Sequence, residues 1–185
     1  MKKQYVTRKG KFDAGHRVMN ERMKCFNVHG HEYHYELTFS YEVPANIGYA
    51  IDFKEIKRVA CQWIDDIFDH GFIANPKDEK IIETCKALGS KLYIMRLTDK
   101  EGYCNPTAEN IAKEIFFAIS ILLNRLDESK LTLEEIKLHE TVNCYVVCKG
   151  VEDEEWDRLV QSDLHRHLIS YKSKKGEVEY DDRRI

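Results

Sequence analysis

The sequence lacks the features that would send a chain to a membrane, a nucleic acid or an oxidising compartment. No stretch approaches the roughly 20 consecutive apolar residues that a membrane span needs, so no spanning helix is expected. The N-terminal "MKKQYVTRKGKFD" carries charge but no apolar segment, and no export signal is expected there. Neither sign of charge dominates. A formal net charge of −3 gives no drive toward a polyanion, so nucleic acid is not an expected partner. The six cysteines (Cys25, Cys61, Cys85, Cys104, Cys144, Cys148) form no CxxC pair. They read as thiols of a reducing cytoplasm, most of them small core fillers, rather than as a disulfide frame. Internal repeats and low-complexity tracts are missing too.

What remains is an ordinary globular mixture: 185 residues, 43% hydrophobic and 33% charged, enough for one domain with a real core. Its most informative stretch is "KCFNVHGHEYHYELTFSYEV". From His29 the odd positions read His29, His31, Tyr33, Tyr35, Leu37, Phe39, Tyr41, and the even ones are mostly polar. This period-two alternation marks a half-buried strand. Its apolar face changes from tyrosine to two histidines at the N-terminal end, while His34 lies on the polar face.

The rest of the chain supplies partners for that strand. Gln4–Val18 reads as a strand carrying His16, followed by a polar loop over Asn20–Asn27, and the strong strand runs through Glu32–Val43. "PANIGYAIDF" turns at Pro44 and Gly48. "FKEIKRVACQWIDDIF" has an apolar stripe at helical spacing and is predicted to stop near "DHG", with Gly71 as the breaker. Asp78–Leu88 is a short helix ended by Gly89, and Lys91–Leu97 a short strand. "NPTAENIAKEIFFAISILLNRL" is the clearest helix, with Thr107 as N-cap and the stripe running to Leu123. "LEEIKLHETVNCYVVCKG" reads as strand, broken around Glu140–Asn143. "EDEEWDRLVQSDLHRHL" forms an amphipathic helix, and "KSKKGEVEYDDRRI" a mobile tail. Strands in hairpin order, then helices, then strands, argue for an α+β fold with helices on one face of an antiparallel sheet.

Several residues carry possible chemistry. His29 and His31 project from one side of a strand, so both imidazoles can converge on a point. His16, on a neighbouring strand, is the natural third ligand of a catalytic zinc site. Gly15 and Gly30 would let the backbone approach the metal. The plainer reading of H-x-H is the polar end of a buried face. Cys25 precedes His29 by four residues; it is a base or nucleophile, a fourth ligand, or an inert thiol. Asp69 and His70 make a proton shuttle only if the chain has left the helix there, because helical neighbours point about 100° apart. Otherwise they are a charged helix end. Glu140 stands among strand residues, where a carboxylate needs a partner such as a guanidinium or an aminopyrimidinone edge; the alternative is a surface glutamate. Glu109 is most simply a dipole-compensating residue in a first helical turn. His139, His165 and His167 read as solvated.

Taken together, "FDAGHR", "KCFNVHGHEY", "AIDFKEIK", "FDHGFI", "NPTAENIAKEIF" and "HETVNCYVVCKG" resemble, in order and from about residue 5 to 150, the 6-pyruvoyltetrahydropterin and 6-carboxytetrahydropterin synthase family. The spacing of Cys25 from His-Gly-His is that of the family's bacterial 6-carboxytetrahydropterin branch. The resemblance implies a tunnelling fold: a four-stranded antiparallel sheet with two helices on one face, assembling through a β-barrel trimer into a hexamer. It implies Zn2+ on His16, His29 and His31, Cys25 as proton acceptor, and Asp69 with His70 as a second proton-transfer group reaching a neighbouring subunit's site. Glu140 would anchor the pterin ring, with Thr107 and Glu109 supporting the pocket. The substrate would be 7,8-dihydroneopterin triphosphate. The product would be 6-carboxy-5,6,7,8-tetrahydropterin, with acetaldehyde and triphosphate released, on the route to queuosine and other 7-deazapurines. The pyruvoyl reaction and a non-catalytic pterin-binding zinc protein are the alternatives. Two segments depart from the compact bacterial pattern: an insertion at 76–104 within a catalytic unit of 1–150, and a C-terminal extension at 151–185. Gly15 stands where alanine is common.

Overall fold

A computed structural model describes residues 3–20, 22, 24–42, 48, 51–124 and 131–172. The strand end at Val43, the turn residue Pro44 and the tail beyond Lys172 lie outside them. Two long strands, β1 (Lys3–His16) and β2 (His29–Glu42), pair antiparallel along their whole length, from Lys3 opposite Glu42 to His16 opposite His29. Two more strands, β5 (Thr132–Thr141) and β6 (Cys144–Cys148), continue the antiparallel sheet on the β2 side. The resemblance implied a four-stranded antiparallel sheet; these four strands are the antiparallel part of a six-stranded one. Two short strands, β3 (Gly71–Ala74) and β4 (Leu92–Ile94), extend it beyond β1 in the parallel sense, giving the order β4-β3-β1-β2-β5-β6.

The alternation in β2 determines which face is covered. Tyr33, Tyr35, Leu37 and Phe39 are buried, as are Phe12, Ala14 and His16 of β1. Against this face packs a helix in three pieces: α1 (Phe53–Ile56), a π-helical turn at Lys57–Cys61, and α2 (Gln62–Phe68). The π turn places Val59, Ala60 and Cys61 together in the core, a local widening that 3.6-residue periodicity does not reveal. The second covering helix is α4 (Ala108–Leu123), capped by Thr107, whose hydroxyl accepts from the Asn110 amide. The opposite face is polar. Lys9 meets Glu36 at 3.0 Å and Lys11 meets Glu32 at 2.6 Å, cross-strand pairs of small individual value in water.

The insertion is part of the body rather than a loop laid over it. Asp78 caps α3 (Glu79–Leu88), which ends at Gly89 in the left-handed conformation; β4 follows, with Tyr93, Met95, Leu97 and Cys104 buried. The fully buried Glu114 of α4 holds this segment, accepting from the Tyr93 hydroxyl and from the amides of Arg96 and Leu97, the latter two at 2.6 Å. The C-terminal extension, predicted as one helix, is two: α5 (Asp153–Gln161) and α6 (Asp163–Ser170). Ser162 breaks the run by turning extended and capping α6 through the Leu164 amide. The break lets Leu159, Leu164 and Leu168 all reach the shared core. Cys61, Cys85, Cys104 and Cys148 are buried free thiols, the filler role expected of most cysteines, while Cys25 and Cys144 are exposed.

Candidate metal centre

The pairing of β1 with β2 builds the site. His16 lies directly opposite His29, and His31 faces Ala14, so all three imidazoles leave the sheet on its covered face near one end of the hairpin. Their ligand atoms lie within 4.8 Å of one another. The Nε2 atoms of His16 and His29 are 3.1 Å apart. His16 Nδ1 sits 2.7 Å from the Pro106 carbonyl oxygen, and His29 Nδ1 2.7 Å from that of Asn27. A carbonyl only accepts, so each Nδ1 carries a hydrogen, and in a neutral ring each Nε2 then presents a lone pair. Two lone pairs at that separation repel unless a cation joins them.

A proton is a poor candidate for that cation. Burial pushes His16 down to about 4, against the Pro106 carbonyl and helped by the two neighbouring imidazoles. Burial also lowers His31, against the pull of Glu140. Three converging imidazoles, two of them oriented by carbonyls behind them, are the donor set of a catalytic zinc site with an open position. The residues therefore fit the metal. Tyr33, fully buried, packs its ring edge-on beneath His16 and His31, at centroid distances of 5.9 and 5.7 Å.

Glu140, near the end of β5, puts Oε1 3.5 Å from His16 Nε2 and is about 30% exposed. It is half-buried beside the imidazoles rather than on the open surface. Cys25 lies exposed in a 3-10 turn, Lys24–Phe26, where the loop returns toward β2. It stands outside the histidine group, so it is not a fourth ligand as placed. Burial raises the Tyr33 phenol, and Glu140 and Cys25 add to that rise, which puts both in electrostatic range of the same ring.

Asp69 and His70 form the pair that the sequence allowed conditionally. The helix ends at Phe68; Asp69 is extended and His70 is left-handed, with φ of 57°. Gly71 is already the first residue of β3, so the breaker is the Asp69-His70 corner and not Gly71. Side-chain and backbone bonds hold this corner. His70 Nδ1 is 2.7 Å from Asp69 Oδ2, the His70 amide donates to the Asp13 carbonyl at 2.7 Å, and the Asp13 amide donates to Asp69 Oδ1 at 3.0 Å. Burial raises the Asp69 carboxyl, but the Asp13 amide, His70 and Lys91 outweigh it and hold it below its ordinary value. Asp13, Asp69 and His70 form a group separate from the three histidines, and His70 is 78% exposed. The polar atoms of the pair lie outside the histidine cluster, while His70 and His31 both line one surface cavity of about 430 Å³.

Three expectations change here. Gly15 and Gly30 do not clear a path to the metal: they oppose each other across the strands, and an added methyl would meet the Phe72 ring at 2.8 Å and the Ala14 carbonyl oxygen at 3.0 Å, respectively. Phe72 fills the space that an alanine side chain would take at position 15. His139 and His165 are half-buried rather than solvated; His139 pairs loosely with Glu36 at 3.7 Å, and His165 lies beside Phe117. The third change is an addition. Asn105 ties the loop after β1, accepting from the Met19 amide at 2.9 Å and donating to the Met19 carbonyl at 3.0 Å, while Pro106 orients His16. The "NPT" preceding α4 was the available signal, but it read only as a helix start. Thr107 caps the helix and Glu109 is exposed in its first turn.

Residues 5–151 match the family model for 6-pyruvoyl tetrahydropterin synthase. The chain belongs to that family. The 6-carboxy-5,6,7,8-tetrahydropterin synthase of Rickettsia felis is 39% identical over 147 residues, spanning 76% of this chain and 96% of that protein. The enzyme of the same name from Aquifex aeolicus is 31% identical over 152 residues, spanning 74% of this chain and 89% of its own length. Among solved structures, the Caenorhabditis elegans 6-pyruvoyl tetrahydropterin synthase superposes with a TM-score of 0.58 at 22% identity, covering 82% of this chain and 98% of that one. That likeness shows the family's α+β tunnelling fold. The family match takes in the histidine centre, Cys25, Asp69, His70 and Glu140, and it stops before α5.

Proposed function

We propose that this chain is a zinc-dependent lyase that converts 7,8-dihydroneopterin triphosphate, with one water consumed, to 6-carboxy-5,6,7,8-tetrahydropterin, releasing acetaldehyde and triphosphate. The observation that carries the reading is the histidine centre itself: two carbonyl-oriented imidazoles with converging Nε2 atoms, a third beside them, and Glu140 at 3.5 Å. His16, His29 and His31 would hold zinc, which when bound supplies Lewis acidity toward the hydroxyls of the pterin side chain.

The chain's own residues then divide the work. Glu140 accepts two parallel bonds from the 2-amino and N3 hydrogens of the pterin ring, which fixes the ring and aims its side chain at the histidine centre. Cys25, delivered by the loop between β1 and β2, accepts a proton from that side chain. Thr107 and Glu109 support the pocket wall at the start of α4. His70, with its Nδ1 hydrogen held by Asp69, has Nε2 free to give or take a proton. By the family resemblance, this pair serves the site of a neighbouring copy. The resemblance likewise makes the assembly a trimer or hexamer, and the sheet's edge strands β4 and β6 leave room for such pairing. The product would feed 7-deazapurine (queuosine) synthesis in the cytoplasm. The unit of residues 1–150 holds the whole catalytic set, and 151–185 is an addition to it. No described helix is long and apolar enough to cross a membrane.

The test is anaerobic incubation of zinc-loaded protein with 7,8-dihydroneopterin triphosphate, products being read by mass spectrometry. The expected products are 6-carboxytetrahydropterin and acetaldehyde. 6-Pyruvoyltetrahydropterin without acetaldehyde would assign the pyruvoyl reaction instead. Bound pterin without turnover would leave a binding protein. Cys25→Ala is expected to abolish turnover with zinc retained.

A further inference from the structure

The loop that carries Cys25 has little of its own to hold it in place. Lys24, Cys25, Phe26, Asn27 and Val28 are all exposed. Among the described residues, two contacts tie the turn to what precedes it. The Val18 amide donates to the Cys25 carbonyl at 2.8 Å, and the Arg17 guanidinium lies over the Phe26 ring at 5.2 Å from its centroid. Arg17 is in turn fixed from the insertion. Its Nε donates to Asp78 Oδ2 and its Nη2 to Asp78 Oδ1 at 2.7 Å, a bidentate, charge-assisted grip. Asp78 is 2% exposed and also caps α3 through the Ile81 amide. A helix cap needs neither a buried charge nor an arginine partner, and asparagine caps as well as aspartate.

We infer that Asp78, acting through Arg17 and Phe26, positions Cys25 relative to the histidine centre, so that the insertion sets the geometry of the proposed base. Arg17 follows the ligand His16 and Phe26 follows Cys25, so the strut joins the two halves of the site. A bidentate pair locks both the rotation and the reach of the guanidinium, and the guanidinium face then fixes where the aromatic ring settles. Asp78 and Phe26 are positioning residues; neither is assigned contact with substrate.

This inference rests on the proposed reaction for its kinetic readout only, and a second readout stands apart from it. Asp78→Asn keeps the α3 cap and removes the ion pair; Phe26→Ala removes the ring. Amide hydrogen exchange followed by mass spectrometry is expected to quicken several-fold in peptides covering residues 17–28 in each variant. Peptides covering 79–88 should keep the wild-type rate, and zinc content should stay at wild type. In turnover, each single variant should lose roughly tenfold in kcat with KM within threefold. The double variant should lose roughly tenfold as well, not the roughly hundredfold of independent sites. Additive losses, a change in KM alone, faster exchange confined to 79–88, or unchanged exchange at 17–28 would each overturn the inference. If the wild type does not turn over the pterin at all, the function reading fails while the exchange measurement still decides the strut.

Discussion

Leu168 in α6 is fully buried and belongs to the same core cluster as Phe117 of α4. Leu168→Ala removes the buried branch of the side chain and leaves a cavity where α6 meets α4. Such truncations cost about 2–5 kcal/mol when the surroundings relax only in part. A value of about 3 kcal/mol is expected here. The extension is held at several points besides this one: Lys113 bonds Glu155 at 2.7 Å, Arg96 bonds Asp163 at 3.1 Å, the Tyr171 hydroxyl donates to Asp66 at 2.6 Å, and Trp156 packs on Phe117 at 4.7 Å. It therefore cannot swing away to absorb the loss. For a chain of this size, about 3 kcal/mol lowers Tm by roughly 6–12 °C. The assay is urea unfolding followed by circular dichroism, with the slope m required to stay constant so that the midpoint reads stability alone. Ile169→Ala, at an exposed neighbouring position, is the control and should change stability by less than about 0.5 kcal/mol. If Leu168→Ala moves the midpoint no further than Ile169→Ala, then α5 and α6 are a loosely docked appendage and the shared core described above is wrong.

Three further outcomes are expected. Burial raises Glu114 above its ordinary value, against the Tyr93 hydroxyl and the Leu97 and Arg96 amides, so the folded chain keeps a proton that the unfolded chain gives up. Its contribution is fully present below the unfolded value and is lost as pH rises through the folded one; the difference in stability between wild type and Glu114→Gln should therefore drift against wild type as pH rises from about 4.5. Equal slopes in parallel denaturation series would refute this. The left-handed backbone of His70 costs a non-glycine residue roughly 1–2 kcal/mol, so His70→Gly should leave stability unchanged or slightly raised while turnover is lost; a marked drop in Tm would show that the Asp69–His70 bond outweighs the strain. Stripping zinc with a chelator should lower Tm without unfolding the chain, because the β1–β2 ladder runs the full length of both strands over a large apolar core, far beyond the three histidines; with free zinc at about 100 times Kd, the loss is about 2.7 kcal/mol. Unchanged Tm on addition of zinc, or an apo chain with no cooperative transition, would count against the three-histidine site.

The sequence by itself determined the parts of this protein that local physics decides. Period-two alternation placed His29 and His31 on one face of β2, and helical spacing with a Thr107 cap located α4. The order of elements pointed to helices on an antiparallel sheet, because each of these signals is written in neighbouring residues. The blocks from "FDAGHR" to "HETVNCYVV" carried the family. What stayed hidden depends on distance along the chain. The widened turn at Lys57–Cys61 and the break at Ser162 follow from what those helices pack against. The roles of Gly15 and Gly30 depended on Phe72 and on the facing strand. That His16 and His29 meet Nε2 to Nε2 required the strand register and two carbonyls, one of them 90 residues away. The grip of Asp78 on Arg17 crosses 61 residues and joins an insertion to the loop it steadies. Only a folded chain brings such groups within hydrogen-bonding range, and no periodicity in the sequence records which of many charged side chains will find each other there.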